Sequence, residues 1–167
     1  MASRSSKTNS RFERLRLFSR DTRGVVALEF AILALPFLTF MMATMQVGVF
    51  YITQAALDNG VLRTAEQTRV GFATGTTVTL PTAQTLKSSV VQFAGALVGN
   101  NTNLAVELRQ LSSLSGGTVA ITDGVVDVGT TTSPLVLRAK AKVTIFAPGF
   151  SALTWVTSSA MVRRIGR

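Results

Sequence analysis

The chain has 167 residues with 17 basic and 8 acidic side chains, a net charge of +9, and neither cysteine nor histidine. Those absences remove disulfide frameworks, thiolate nucleophiles, the usual general base and the commonest metal ligand, which argues against an enzyme or a metal protein. The hydrophobic share of 47% is ordinary, but bases crowd the first 23 residues and apolar side chains crowd residues 25–52.

Residues 1–23 carry Arg4, Lys7, Arg11, Arg14, Arg16, Arg20 and Arg23 against Glu13 and Asp21, net +5. Standing directly before an apolar run, this cluster is a membrane-topology signal before it is a nucleic-acid footprint. The run itself, residues 25–52, reads VVALEFAILALPFLTFMMATMQVGVFYI, with Glu29 its one charge and Gln46 its one amide side chain. About 20 apolar residues at about 1.5 Å each cross a hydrocarbon core of roughly 30 Å, so the run predicts a single transmembrane helix. Arg63 and Arg69 are the nearest bases beyond it, so the positive-inside rule puts the N-terminus in the cytoplasm and the rest of the chain outside. A secretory signal peptide is the competing reading, but its apolar region is normally about 7 to 15 residues. Pro36 removes one helical hydrogen bond within the span and reads either as a tolerated membrane proline or as a hinge.

Glu29 is the anomaly, since a carboxylate at mid-bilayer costs about 2.5 to 3.5 kcal/mol. It lies about 7 Å into the run along a helix, so snorkelling to the cytoplasmic interface is one account. The junction supplies another: Arg23, Gly24, then Val25-Val26-Ala27-Leu28-Glu29-Phe30, a glycine between basic leader and apolar helix with a glutamate five residues on. This resembles the prepilin cleavage site of type IV pilin-like proteins, and with Phe30 it is similar to the TadE and TadG-like pseudopilins of tight-adherence pili. The resemblance implies that a prepilin peptidase cuts between Gly24 and Val25, that Glu29 pairs with the new Val25 amine of a neighbouring subunit and sets register, and that Phe30 occupies a position typically held by tyrosine. Phe30 keeps the ring and loses the hydroxyl. The resemblance also implies pilins, pseudopilins and assembly machinery as partners, a bacterial inner-membrane location with a periplasmic domain, and onward passage to a pilus or the cell surface. It covers roughly residues 20–70.

Beyond the span, Ala55, Ala56, Leu57, Val61, Leu62 and Ala65 predict that the helix continues to about residue 70, roughly 69 Å in all. Gly60 opens the alternative of two helices broken at Asn59-Gly60. Residues 72–81 read as a linker. Thr82 then caps a second helix with Leu86, Val90, Phe93 and Leu97 on its face, widened by Val91, Ala94 and Val98, until Gly99-Asn100-Asn101. The period next changes to two, over 104–111 and most clearly in Leu137, Ala139, Ala141, Val143 and Ile145. Gly116-Gly117 and Asp123-Gly124 bound candidate strands at 118–122 and 125–128, 130–134 reads as a loop, and Pro148-Gly149 precedes a short helical piece and a last strand at 156–163. Trp155 reads as a packing anchor, and the Arg138, Lys140 and Lys142 row as a solvated strand face rather than a nucleic-acid or glycan surface. Asp123 and Asp127 make a better turn than a calcium loop.

The expected fold is therefore α+β: a long N-terminal transmembrane helix continuing outside the membrane, a second helix and a small antiparallel β-sheet. The expected organisation is a basic cytoplasmic leader over 1–24, a transmembrane helix over 25–52 and an extracytoplasmic domain over 53–167. The expected role is that of a minor pilin or pilus-assembly pseudopilin, with no cofactor, no metal and no nucleic acid, held by the lipid bilayer. An unprocessed single-pass membrane-anchored envelope protein with a structural or binding role is the alternative.

Overall fold

The computed structural model describes residues 22–73, 81–99, 103–114, 119–129, 133–147 and 149–163. Residues 1–21 of the leader, most of the 72–81 linker, Asn100-Asn101, Gly116-Gly117 and 130–132 of the expected loop lie outside them. The chain divides into two compact units, Met1–Ala43 and Thr44–Arg167. Its elements are helix α1 (Thr22–Ala73), helix α2 (Ala83–Ala94), a short helix α3 (Ala96–Gly99), and strands β1 (Ala105–Gln110), β2 (Leu135–Lys142) and β3 (Trp155–Val162). The fold is α+β, as the sequence predicts.

In the first unit, helix α1 carries apolar side chains on every side. Val25, Val26, Leu28, Phe30, Ile32, Leu33, Leu35, Phe37, Leu38 and Phe40 are all exposed. A helix apolar all round belongs in a hydrophobic surround, and this one is long and apolar enough to cross a membrane. The helix passes through Pro36 without interruption, and three residues on the Thr39 hydroxyl donates to the Leu35 carbonyl at 2.8 Å.

In the second unit the same helix becomes one-sided. Gln46, Thr53, Leu57, Gly60, Val61, Thr64 and Ala65 are buried and Phe50 is half-buried, a seam that advances by threes and fours along one flank. The seam runs straight through Asn59-Gly60, so the helix does not break there. A Cβ built on Gly60 would lie 2.8 Å from both the Val90 carbonyl oxygen and the Ala94 Cβ. The glycine is the notch that lets α2 press against α1.

Helix α2 begins where the sequence marks it: the Thr82 side chain accepts from the Thr85 amide at 3.3 Å. It ends earlier than the apolar stripe predicts. Gly95 adopts φ +77°, its amide donates to the Val91 carbonyl at 3.0 Å, and α3 starts afresh at Ala96. The break turns Leu97 outward to 56% exposure, while Leu86, Val90, Ala94 and Val98 stay in the core.

The sheet has order β1-β2-β3 with both pairings antiparallel. Val106 and Leu108 of β1, Leu135, Leu137, Ala139 and Ala141 of β2, and Val156, Ala160 and Val162 of β3 form one face. They join Leu57, Val61, Leu86 and Val90 of the helices in a single apolar cluster. Each large aliphatic side chain so buried contributes about 1.5–3 kcal/mol. The alternation predicted through Ile145 ends as strand at Lys142, although Val143 still donates to the Thr154 carbonyl at 2.7 Å. The strands expected at 118–122 and 125–128 are absent among the described residues. In their place, 123–127 runs along the free edge of β1 with a single parallel bridge, Leu108 to Val126. Leu108 donates to the Val125 carbonyl at 2.9 Å and accepts from Asp127 N–H at 2.8 Å. Asp123 explains why no ladder forms there, because its side chain rather than the backbone takes the Val106 amide, at 3.1 Å. A short 3₁₀ turn, Ser151–Leu153, precedes β3.

Candidate functional site

The residues of the junction all sit on α1. Gly24 lies two residues inside the helix start, and a Cβ there would meet nothing within 4 Å. Val25 and Phe30 are 53% and 72% exposed, and Glu29 is exposed on the same helix. Val25 and Glu29 are four apart and share a helix face, whereas Phe30 turns toward the side of Val26 and Leu33. Among the described residues no basic side chain pairs with Glu29. Among the described residues, then, glycine, carboxylate and ring stand exposed on an apolar helix with no further group brought to them.

Two polar clusters that sequence patterning does not reveal lie in the second unit. Gln46, the lone amide of the apolar run, is completely buried. Its Nε2 donates to the Thr144 carbonyl at 3.2 Å and its Oε1 accepts from the Phe146 amide at 3.0 Å. Two turns on, Gln54 Nε2 donates to the Thr157 carbonyl of β3 and to Asp58 Oδ1, both at 3.0 Å. These amides fasten the helix to the segment just beyond β2 and to the outer edge of β3.

The second cluster centres on Glu107, completely buried on the sheet face opposite the helices. Its Oε2 accepts from Arg109 Nε at 3.2 Å and from the Thr122 amide at 2.9 Å, and Arg138 Nη1 lies 2.9 Å from Oε1. The Arg138 contact is an ion pair without the angle of a good hydrogen bond, so Oε1 accepts none. Arg138 Nη2 donates to the Val119 carbonyl at 2.6 Å. Burying a carboxylate demands such partners. Here they bind 119–122 across β1 and β2. Beside it, a shallow depression of about 380 Å³ is lined by 119–121, Arg138, Lys140, Thr157 and Ser159.

The acids considered for a metal serve the backbone. Asp123 bridges Lys87 at 2.9 Å and accepts the Val106 amide, while Asp127 Oδ1 accepts from Gln110 Nε2 at 3.0 Å and from the Gly129 amide at 3.2 Å. Burial pushes the Asp123 carboxyl upward, but the Lys87 hydrogen bond and charge and the Val106 and Gly124 amides outweigh it and hold it below its ordinary value. Among the described residues no three acidic, histidine or cysteine side chains converge.

Trp155, read from the sequence as a packing anchor, stands partly in the open and packs against a lysine. Its ring is 41% exposed and lies under Lys140, whose Nζ stands 4.2 Å from the ring centroid.

No curated protein and no solved structure matches the chain. A family model described as TadE-like protein matches residues 24–66. The match starts at the junction glycine, takes in the exposed apolar helix with Glu29 and Phe30, and continues through Gln46 and Gly60 into the buried seam. Over residues 24–66 the chain is similar to TadE-like proteins.

Proposed function

We propose that the protein is a minor pilin or pilus-assembly pseudopilin of a tight-adherence system, structural rather than catalytic. The observation that carries the reading is the coincidence of the TadE-like match with an apolar helix that begins at Gly24 and bears a lone carboxylate at Glu29. In this reading a prepilin peptidase cleaves between Gly24 and Val25. Glycine suits that bond because it lets backbone approach a protease closely, and a bond in the first turn of a helix is exposed at little cost. Cleavage leaves a cationic amine on Val25. Glu29 of an adjacent subunit pairs with it, which offsets the cost of a carboxylate in hydrocarbon and fixes the axial stagger of neighbouring helices. Phe30, on the adjoining side of the helix, offers an apolar ring to the packing of neighbouring subunits. The seven bases before Gly24 hold the N-terminus in the cytoplasm, so the domain that follows lies on the periplasmic side of the inner membrane and passes to the pilus on assembly.

The test is intact mass and N-terminal sequencing of protein recovered from membranes, with and without the peptidase, for the native chain and for Gly24→Ala and Glu29→Ala. A Val25 terminus that depends on both peptidase and Gly24, with Glu29→Ala cleaved but unassembled, is expected. A chain that keeps its leader under every condition refutes processing and leaves an unprocessed membrane-anchored envelope protein as the account.

A further inference from the structure

Within the second unit, the flank of α1 turned away from the sheet and α2 carries a regular row of exposed side chains. Met45, Ile52 and Leu62 are 56%, 58% and 57% exposed, and Gly48, Ala55 and Asn59 between them are exposed as well. In order, 45, 48, 52, 55, 59 and 62 are spaced by three, four, three, four and three residues, the repeat of a helix whose seam meets another helix. Gln46, Thr53, Leu57, Val61 and Thr64, which are buried in this unit, lie on the other flank. Gly48 adds to the pattern. Glycine weakens a helix, and whereas Gly60 admits α2, a Cβ on Gly48 would meet nothing within 4 Å. No described neighbour in the subunit accounts for it, but with Ala55 it lets the backbone of a second helix come close.

Three polar residues indicate which helix that is. Asn59 stands on the seam with no hydrogen-bond partner among the described residues, and in a parallel two-stranded coil an asparagine there meets its own counterpart and fixes the register. Asp58 and Arg63 flank the seam on opposite sides, five residues apart, the offset at which side chains of two parallel helices in register meet. Asp58 of one copy therefore faces Arg63 of the other, twice over. Arg63 is exposed and has no acidic partner among the described residues, while Asp58 uses only Oδ1, for Gln54. Beyond Leu62 the seam positions are Glu66 and Arg69, which would set like charges against each other across the axis, so the contact ends after about 25 Å.

We propose that residues 45–62 of α1 form a parallel, in-register coiled coil with the same residues of a second copy. Met45, Ile52 and Leu62 supply its apolar contact, Asn59 its register, and the two Asp58–Arg63 pairs its orientation. The proposal rests on the membrane reading of α1: so short a seam is marginal between free chains, and two copies anchored in one membrane gain both the effective concentration and the parallel sense. Each residue here faces its own counterpart, unlike the offset Glu29–Val25 pairing proposed for assembly, so the dimer is a form of the subunit that precedes the filament.

The chain has no cysteine, so single introduced thiols report one position each. Full-length Ile52→Cys and Leu62→Cys, on the seam, are compared with Val47→Cys and Gln67→Cys, exposed but off it, under mild oxidation in membranes. Because a disulfide needs Cα atoms within about 7 Å, seam thiols are expected to form dimers about tenfold faster than the others. Asp58→Arg and Arg63→Asp, each in the Ile52→Cys chain, should slow dimer formation about threefold to tenfold, and the double exchange should restore it. That restoration separates the ion pairs from loss of the Gln54 bond to Asp58. Equal rates at all four positions, no dimer at the seam, no rescue by the double exchange, or a seam thiol that bridges to a protein of different mass each overturn the inference while membrane-bound protein leaves the proposed function standing. A chain recovered in the soluble fraction refutes the membrane reading and this inference with it.

Discussion

Gly60→Ala sets two effects of opposite sign against each other. For a glycine on an open helix face, alanine stabilises by about 1 kcal/mol through propensity. At Gly60 the added methyl would sit 2.8 Å from the Val90 carbonyl oxygen and 2.8 Å from the Ala94 Cβ, where ordinary contact begins at 3.4 Å. One obstacle is backbone and the other a rigid methyl, so neither can swing aside. The helices must separate by about 0.6 Å, loosening contacts of Leu57, Val61, Leu86 and Val90 together. Overpacking of this kind costs about 1–3 kcal/mol, so the expected net effect is destabilisation by up to about 2 kcal/mol. Urea unfolding of the detergent-solubilised chain, followed by helical circular dichroism, measures it. Ala94→Gly in the Gly60→Ala background removes only the methyl contact and should restore only part of the loss. Gly60→Ala that instead raises the midpoint would show that α1 and α2 do not meet at this notch.

Glu107→Leu strands Arg109 and Arg138 and frees the Thr122 amide. Loss of one partner of a buried ion pair costs about 3–5 kcal/mol, and these arginines, 24% and 18% exposed, reach enough water to place the loss near the low end. Amide exchange at Thr122 should quicken in step, and unchanged protection there would refute the cluster's role in holding 119–122. For Asp123, a native pKa held below 3.8 means that the Lys87 bridge contributes in full above that value and is lost as pH falls below it through the native pKa. Acid titration of unfolding should therefore show a component below pH 3.8 that Asp123→Asn abolishes. A component that survives the substitution would assign it elsewhere.

What the sequence discloses and what it conceals divide along physical lines. The apolar run, the Thr82 cap and the alternation of Leu137, Ala139 and Ala141 are local signals, since each depends on neighbours within one helical turn or one strand. Gly60 misleads for the same reason: taken locally, glycine weakens a helix, and only the approach of α2 from 30 residues away makes it a packing surface. Gly95 ends α2 inside an unbroken apolar stripe, because backbone sign at one residue overrides side-chain period. The 118–128 segment carries strand-like residues, yet Asp123 spends its carboxylate on the backbone that a ladder would have used. Glu107 and Arg109 could be placed on one face from spacing alone, but Arg138 joins them only through the β1–β2 register. The junction at Gly24 and Glu29 was legible as a pattern, whereas the Gln46 clamp was legible only as an amide out of place.

That clamp has a backbone counterpart elsewhere in the fold. Leu108 donates to the carbonyl before Val126 and accepts from the amide after it, the bonding of a parallel neighbour. The side chain of Gln46 does the same to the carbonyl before Ile145 and the amide after it. A single primary amide thus impersonates one residue of a parallel strand, and the helix bonds the backbone just beyond β2 without unwinding. Because that group is neutral, neither acid nor ionic strength weakens the join directly, unlike the Lys87–Asp123 link. The helix–domain joint is therefore built to hold unchanged from one ionic environment to the next.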